Sequence, residues 1–221
     1  PFLGDDDQHW RTEARDLART LAGARDAQAA LDAVGDAEFH AVSHRLSSRN
    51  WETMRRRIED LREAAETAGL NARMRKKIAT ALDRADARIE QWPLEPVTFA
   101  DVAENLAVHY RRARHAVPED WRAATIEDLH ALRKRVVVHR YQMEIVEPLW
   151  PRLGRTWVKE AQRLRNRLGK CQDLAVLTNL ARPHQPLSHW RSPLSSVISQ
   201  RQGRHLESAQ RIASRLFAEK P

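Results

Sequence analysis

Apolar residues recur along this chain at spacings of three and four, and the strict alternation that marks strands never persists. Trp10, Ala14, Leu17 and Leu21 define one helical face after the acidic cap Asp5–Asp7. That helix either kinks at Gly23 or runs on through Ala27 and Leu31 to Val34, where Gly35 closes it and Asp36 caps the next segment, with Phe39, Val42 and Leu46 apolar. Asn50 opens a helix showing Met54, Ile58 and Leu61, which stops at Gly69. Asn71 opens another, with Met74, Ile78, Leu82 and Ile89, ended by Pro93 and Pro96. Thr98 and Thr125 each have an aspartate three residues on, Asp101 and Asp128, in near variants of the capping box. These two helices end near Pro118 and at Pro148. A further helix spans roughly 155–180, residues 183–193 form the longest loop, and a last helix shows Leu194, Val197, Ile198, Leu206, Ile212 and Leu216. The expected fold class is all-α.

Composition narrows the function classes. In 221 residues there is no uncharged apolar run near the ~18 that a membrane helix needs, so no membrane partner is expected. A lone cysteine, Cys171, excludes an internal disulfide framework and a cysteine zinc site, and fits a reducing, cytoplasmic compartment. The net charge is +8, and it is unevenly placed. Residues 1–110 hold 16 basic and 20 acidic residues, whereas residues 111–221 hold 22 and 10. Between His130 and Lys170 there are 11 basic residues against three acidic ones. A field of that sign attracts polyanions: nucleic acid, anionic lipid or phosphate polymers.

The chain also repeats itself. At an offset of 147 residues, Trp10, Glu13, Ala14, Leu17, Leu21 and Asp26 fall on Trp157, Glu160, Ala161, Leu164, Leu168 and Asp173. A shared tryptophan and aspartate argue for duplication over a chance match of two Ala/Leu-rich helices. The expected organisation is one domain over 1–221 with approximate repeats 1–97 and 98–221. The basic helix that precedes Trp157 has no counterpart before Trp10, and the chain lacks an initiating Met, so an N-terminal element is expected upstream of Pro1.

The densest chemistry opens the basic helix. His130, Arg133, Lys134, Val137 and Tyr141 share a face by their spacing, beside an apolar stripe of Leu129, Leu132 and Val136. Arginine forks grip phosphate oxygens bidentately, lysine supplies a point charge and histidine adds a donor. Arg163, Arg167 and Lys170 repeat the logic downstream, and Tyr110-Arg111-Arg112-Ala113-Arg114 adds three guanidinium groups upstream. These cations are expected to converge on one concave surface.

Those residues resemble the CHAD domain, an α-helical family named for its histidines. Its basic helix reads His-x-x-Arg-Lys-x-x-Lys followed by a tyrosine; His130, Arg133, Lys134 and Tyr141 match, and Val137 stands where the family has its second lysine. Leu168 to Leu177 resembles the second-repeat signature, and Leu21-Ala-Gly-Ala-Arg-Asp26 its first-repeat counterpart. The Arg201-to-Lys220 tail also resembles a family segment. The resemblance implies two pseudo-symmetric helical bundles with a basic channel between them that binds inorganic polyphosphate without catalysis. Carried over by position, the ligand set is His130, Arg133, Lys134, Arg111, Arg112, Arg114, Tyr110, Arg163, Arg167, Lys170, Arg140, Tyr141, Arg25 and Arg201. It also implies association with polyphosphate granules and, in some relatives, a fused triphosphatase domain.

Two other readings stay open: a nucleic-acid-binding helical protein, and an accessory domain of a triphosphate or polyphosphate hydrolase. Single-strand binding wants aromatics interleaved with cations, yet no tryptophan lies between Arg133 and Arg140. Hydrolysis through a metal wants carboxylates, and the basic region has only Glu144, Glu147 and Glu160. His40 and His44 stand four apart without a third ligand, so a surface pair is expected there, and no metal or cofactor. Asp26 and Asp173 are expected to brace arginines. Cys171, beside Lys170, reads as core filler.

Overall fold

A computed structural model describes residues 6–40 and 46–219. The described residues form eight α-helices and no strand: α1 (Asp6–Thr20), α2 (Ala22–Phe39), α3 (Ser48–Gly69), α4 (Ala72–Ile89), α5 (Phe99–His115), α6 (Ile126–Val146), α7 (Pro151–Leu180) and α8 (Arg191–Leu216). They divide into two compact units, one of residues 6–35 and 46–97, the other of 36–40 and 98–219.

In the first unit, α2 buries alanines and Val34, and α3 buries Trp51, Met54 and Ile58. Small residues set the helix spacing. A Cβ on Gly23 would sit 3.4 Å from the Ala65 Cβ, and one on Gly69 would come within 2.9 Å of the Thr20 carbonyl oxygen. The chain therefore breaks at Leu21, where the amide turns to the Ala18 carbonyl, and not at Gly23. Arg84 of α4 reaches Glu13 of α1 at 2.7 Å, and Arg62 donates to Gln28 at 3.1 Å. α4 buries no residue, although Asn71 caps it as expected by accepting from the Met74 amide at 2.9 Å.

Several boundaries differ from the sequence expectation. α2 runs through Gly35, which has no positive φ. Asp36 is thus a helical residue and not a cap, and its carboxylate is engaged by Arg201 and His205. The α3 cap is Ser47, which accepts from the Asn50 amide, so Asn50 lies inside the helix. α8 begins at Arg191. Pro193 lies in its first turn, where an amide would have no partner in the helix anyway. Val42 and His44 lie outside the described residues.

The second unit is built of antiparallel neighbours. α6 and α7 join through a short 3-10 turn, Glu147–Leu149, and α7 and α8 through turns and the 3-10 segment Ser188–Trp190. Thr98 and Thr125 make full capping boxes with Asp101 and Asp128, which fixes where α5 and α6 start. Leu129, Leu132 and Val136 of α6 meet Leu164 and Leu168 of α7 and Ile212 and Leu216 of α8 in one buried core, with Tyr110, Ala113 and Trp121. Each buried leucine contributes about 1.5–3 kcal/mol. The tight α6–α7 turn depends on Gly154, where a Cβ would lie 2.8 Å from the Glu147 Cα.

Candidate functional site

The register of α6 is set by its inner stripe, 129, 132, 136 and 139. His130, Arg133, Val137 and Arg140 then follow one another along the seam with α7. His130 Nδ1 is bonded to Gln172, and Arg133 lies across Gly169, where a Cβ would stand 3.6 Å from the guanidinium Nε. Lys134 and Tyr141 lie seven residues apart on the next, outward stripe, and both are exposed. Arg140 is ion-paired to Glu144, and its guanidinium stacks 4.2 Å over the Tyr141 ring.

The downstream cations occupy a different groove. Arg167 is two residues from Gly169, which rotates it by about 200° around α7. It faces α8, with Nη1 3.3 Å from His205 Nδ1. Arg163 is ion-paired to Glu160 at 2.7 Å, and Arg215 reaches the same carboxylate at 3.4 Å. Arg133 and Arg167 therefore lie in adjacent grooves with the ridge of α7 between them, not on the single surface expected. Lys170 is half-buried on that ridge side. On α5, Arg111 and Arg112 are exposed and Arg114 is half-buried near Tyr110. Tyr110 is itself buried, its hydroxyl donating to the Glu219 carbonyl at 3.1 Å, so its role is in the core.

Arg201 and Arg25, besides Arg140, Arg163 and Tyr110, are otherwise engaged. Arg201 is only 6% exposed, and its fork closes on Asp36, Nε to Oδ2 and Nη2 to Oδ1, both at 2.9 Å. A guanidinium held that way faces the interior. Arg25 belongs to the first unit and makes an exposed contact with its neighbour Asp26 at 3.4 Å. Cys171 is buried, and burial, with the charge of Asp173, pushes its thiol up to about 12. It is core filler.

Sequence reasoning passed over the histidines that organise this unit. His139 is 1% exposed, and its Nε2 accepts the Trp157 indole N–H at 2.8 Å. Tyr110, Trp157 and Phe217 surround it at ring distances of 5.5–5.9 Å. Its place at the end of the 129, 132, 136 stripe was the available signal. Burial, helped by the charge of His109, lowers its pKa to about 4. The folded state thus binds this proton less readily than the unfolded chain. Its stabilising contribution is full above ~6.5 and disappears as pH falls toward 4, by on the order of 3 kcal/mol. Urea melts of the wild type at about pH 7.5 and 4.5 are expected to show that loss, and His139→Gln is expected to remove most of it. An equal acid loss in both proteins would contradict a buried neutral His139. His109, half-buried on α5, is lowered by burial and by Arg112 and Arg135.

Among the described residues no group of three His, Cys, Asp or Glu side chains could hold a metal ion, and no helix is long and apolar enough to cross a membrane. Arg111, Arg112, Lys134, Arg135, Arg167 and Lys170 have no carboxylate partner among the described residues. Such an arrangement can bind extended anions along α5, α6 and α7. No curated protein matches the chain, and no solved structure does. The family model of the CHAD domain matches residues 1–182, and with that match over most of its length the chain belongs to the CHAD domain family.

Proposed function

We propose that this chain binds inorganic polyphosphate through the cations of its second unit and does not hydrolyse it. The observation that carries the reading is the set of cations on α5, α6 and α7 that have no carboxylate partner among the described residues. Guanidinium and ammonium groups spaced along helices suit a thin, flexible chain with charge on every unit. Membership of the CHAD family supports the same ligand. Binding without turnover is favoured by the state of the local carboxylates: Glu144 is taken by Arg140, and Glu160 by Arg163 and Arg215. The 147-residue repeat supports an origin by duplication. Cytoplasmic polyphosphate granules are the setting this reading implies, with an associated triphosphatase as a functional partner.

One observation favours a second reading, single-stranded nucleic acid. Tyr141 is 56% exposed beneath the Arg140 guanidinium, and Trp150 is 74% exposed at the α6–α7 turn. Aromatics beside cations make stacking platforms. Competition separates the two. At equal phosphate concentration and about 0.15 M salt, polyphosphate is expected to displace single-stranded and duplex DNA, and no orthophosphate is expected to be released. Affinity should fall steeply with salt, as counterion release requires for any polyanion. Tighter DNA binding would reject the polyphosphate reading, and steady phosphate release would reject the non-enzymatic one.

A further inference from the structure

The α7–α8 groove contains a set of side chains that the ligand reading does not use. Asp36 accepts both arms of the Arg201 fork, and its Oδ2 lies 3.1 Å from His205 Nε2. Burial pushes the Asp36 carboxyl up, but the hydrogen bonds from Arg201 and His205 overcome this and lower it to about 2. An ionised carboxylate can only accept, so His205 Nε2 carries the imidazole proton. Arg201 Nη2, 3.3 Å from the same nitrogen, is a second donor there, and that contact is not a hydrogen bond. In the neutral ring Nδ1 is then a bare lone pair. It faces Arg167 Nη1 at 3.3 Å, and a guanidinium can only donate. The neutral ring with its proton on Nε2 satisfies every partner.

We propose that His205 is a positioning residue for Arg167: the Asp36–His205 pair fixes a lone pair beside an exposed guanidinium and holds its remaining donors ready for a phosphate oxygen. The ligand in this statement rests on the polyphosphate reading, but the geometry does not. The hold is released by acid. A proton on Nδ1 would point at Arg167, setting donor against donor and cation against cation. The groups facing the ring are Asp36 from α2, with His40 on the far side of that carboxylate, Arg167 from α7 and Arg201 from α8. Histidine at a phosphate site ordinarily strengthens binding when it is protonated. Here protonation disorders one of the ligand cations.

The test has two arms on the full chain. In the first, nitrogen NMR reads the His205 tautomer and the rotation of the arginine side chains. The neutral ring should carry its proton on Nε2 at pH near 7.5, and the Arg167 guanidinium should turn more slowly than that of exposed Arg111. In the second, polyphosphate affinity is measured for His205→Ala, His205→Asn, Arg167→Ala and the double variant His205→Ala/Arg167→Ala. His205→Ala is expected to weaken binding roughly three- to tenfold, the cost of ordering one long side chain. His205→Asn should recover most of it, because its amide oxygen replaces the Nδ1 acceptor. In Arg167→Ala, the further loss of His205 should change nothing. Independent multiplying effects, or no rescue by asparagine, would overturn the proposal. If His205→Ala fails to fold, the asparagine variant and the NMR arm still decide. If the wild type does not bind polyphosphate, the ligand reading fails alone, and a proton on Nδ1 or a freely turning Arg167 is what would sink the positioning role.

Discussion

Asp36→Ala is expected to destabilise the second unit by about 3–5 kcal/mol, the cost of leaving a buried charge without its partner. Arg201 is nearly inaccessible and directs two of its donors at this one carboxylate. Truncation strands that guanidinium and also removes the acceptor of the His205 Nε2–H. At roughly 2–4 °C per kcal/mol for a chain of this size, the melting midpoint should fall by about 6–20 °C. The cause is separable from general damage. Replacing a buried ion pair by well-packed apolar groups is often neutral, so Asp36→Ala/Arg201→Met should recover most of the loss. Melts of the wild type, both single variants and the double variant measure that coupling. If the double variant is no more stable than Asp36→Ala, the ion pair is not what holds this region. The same carboxylate makes a second, lower acid step. Its folded pKa of about 2 lies below the ordinary 3.8, so its contribution is present above ~3.8 and is lost as pH falls toward 2.

The helices were legible in the sequence wherever a local rule decided them. Asn71, Thr98 and Thr125 are caps whose side chains reach an amide only three residues away, and all three were readable from spacing. Some boundaries were misread for a local reason, as where Ser47 and not Asn50 caps α3; others were misread where a distant residue is involved. Gly35 and Asp36 look like a stop and a fresh cap. The chain stays helical through both, and the Asp36 carboxylate is taken by Arg201, 165 residues further on. Gly23 looks like a kink, but it lies inside α2, where a Cβ would stand at van der Waals distance from Ala65.

The candidate site divides along the same line. Periodicity correctly puts His130 and Arg133 on one stripe of α6, since that is a property of a single helix. It is silent on what the stripe faces, Gln172 and Gly169 of α7. Counting cations on α7 could not show that Arg163 and Arg167 face α8, because that depends on which edge of α7 each neighbour covers. Charge counting also treats every arginine alike. The structure distinguishes Arg201, closed on Asp36, and Arg140, closed on Glu144, from Arg111 and Lys134, which have no such partner among the described residues. His139 was visible as the last member of an apolar stripe; its donor, Trp157, lies on another helix.

These distinctions rank the cations for ligand binding. Replacing Arg133 and Lys134 together by Ala is expected to weaken polyphosphate binding by about 3–6 kcal/mol, taking roughly 1.5–3 for each charge-assisted contact. That is about a hundredfold to some ten-thousandfold in affinity. The pair is chosen for geometry. Arg133 lies beside Gly169 of α7, and Lys134 projects from the adjacent outward stripe, so together they span the groove edge and the exposed face of α6. Arg140→Ala and Arg163→Ala are the internal controls. Both side chains already have a carboxylate partner, and each should cost well under tenfold. The salt dependence should flatten in the double variant, because fewer counterions are displaced per bound chain. Isothermal titration at two salt concentrations reads both quantities, and thermal melts verify that the fold is retained. Unchanged affinity in the Arg133/Lys134 variant, or an equal loss in the ion-paired controls, would move the site away from the α6–α7 seam and leave the α5 cations Arg111 and Arg112 to carry it.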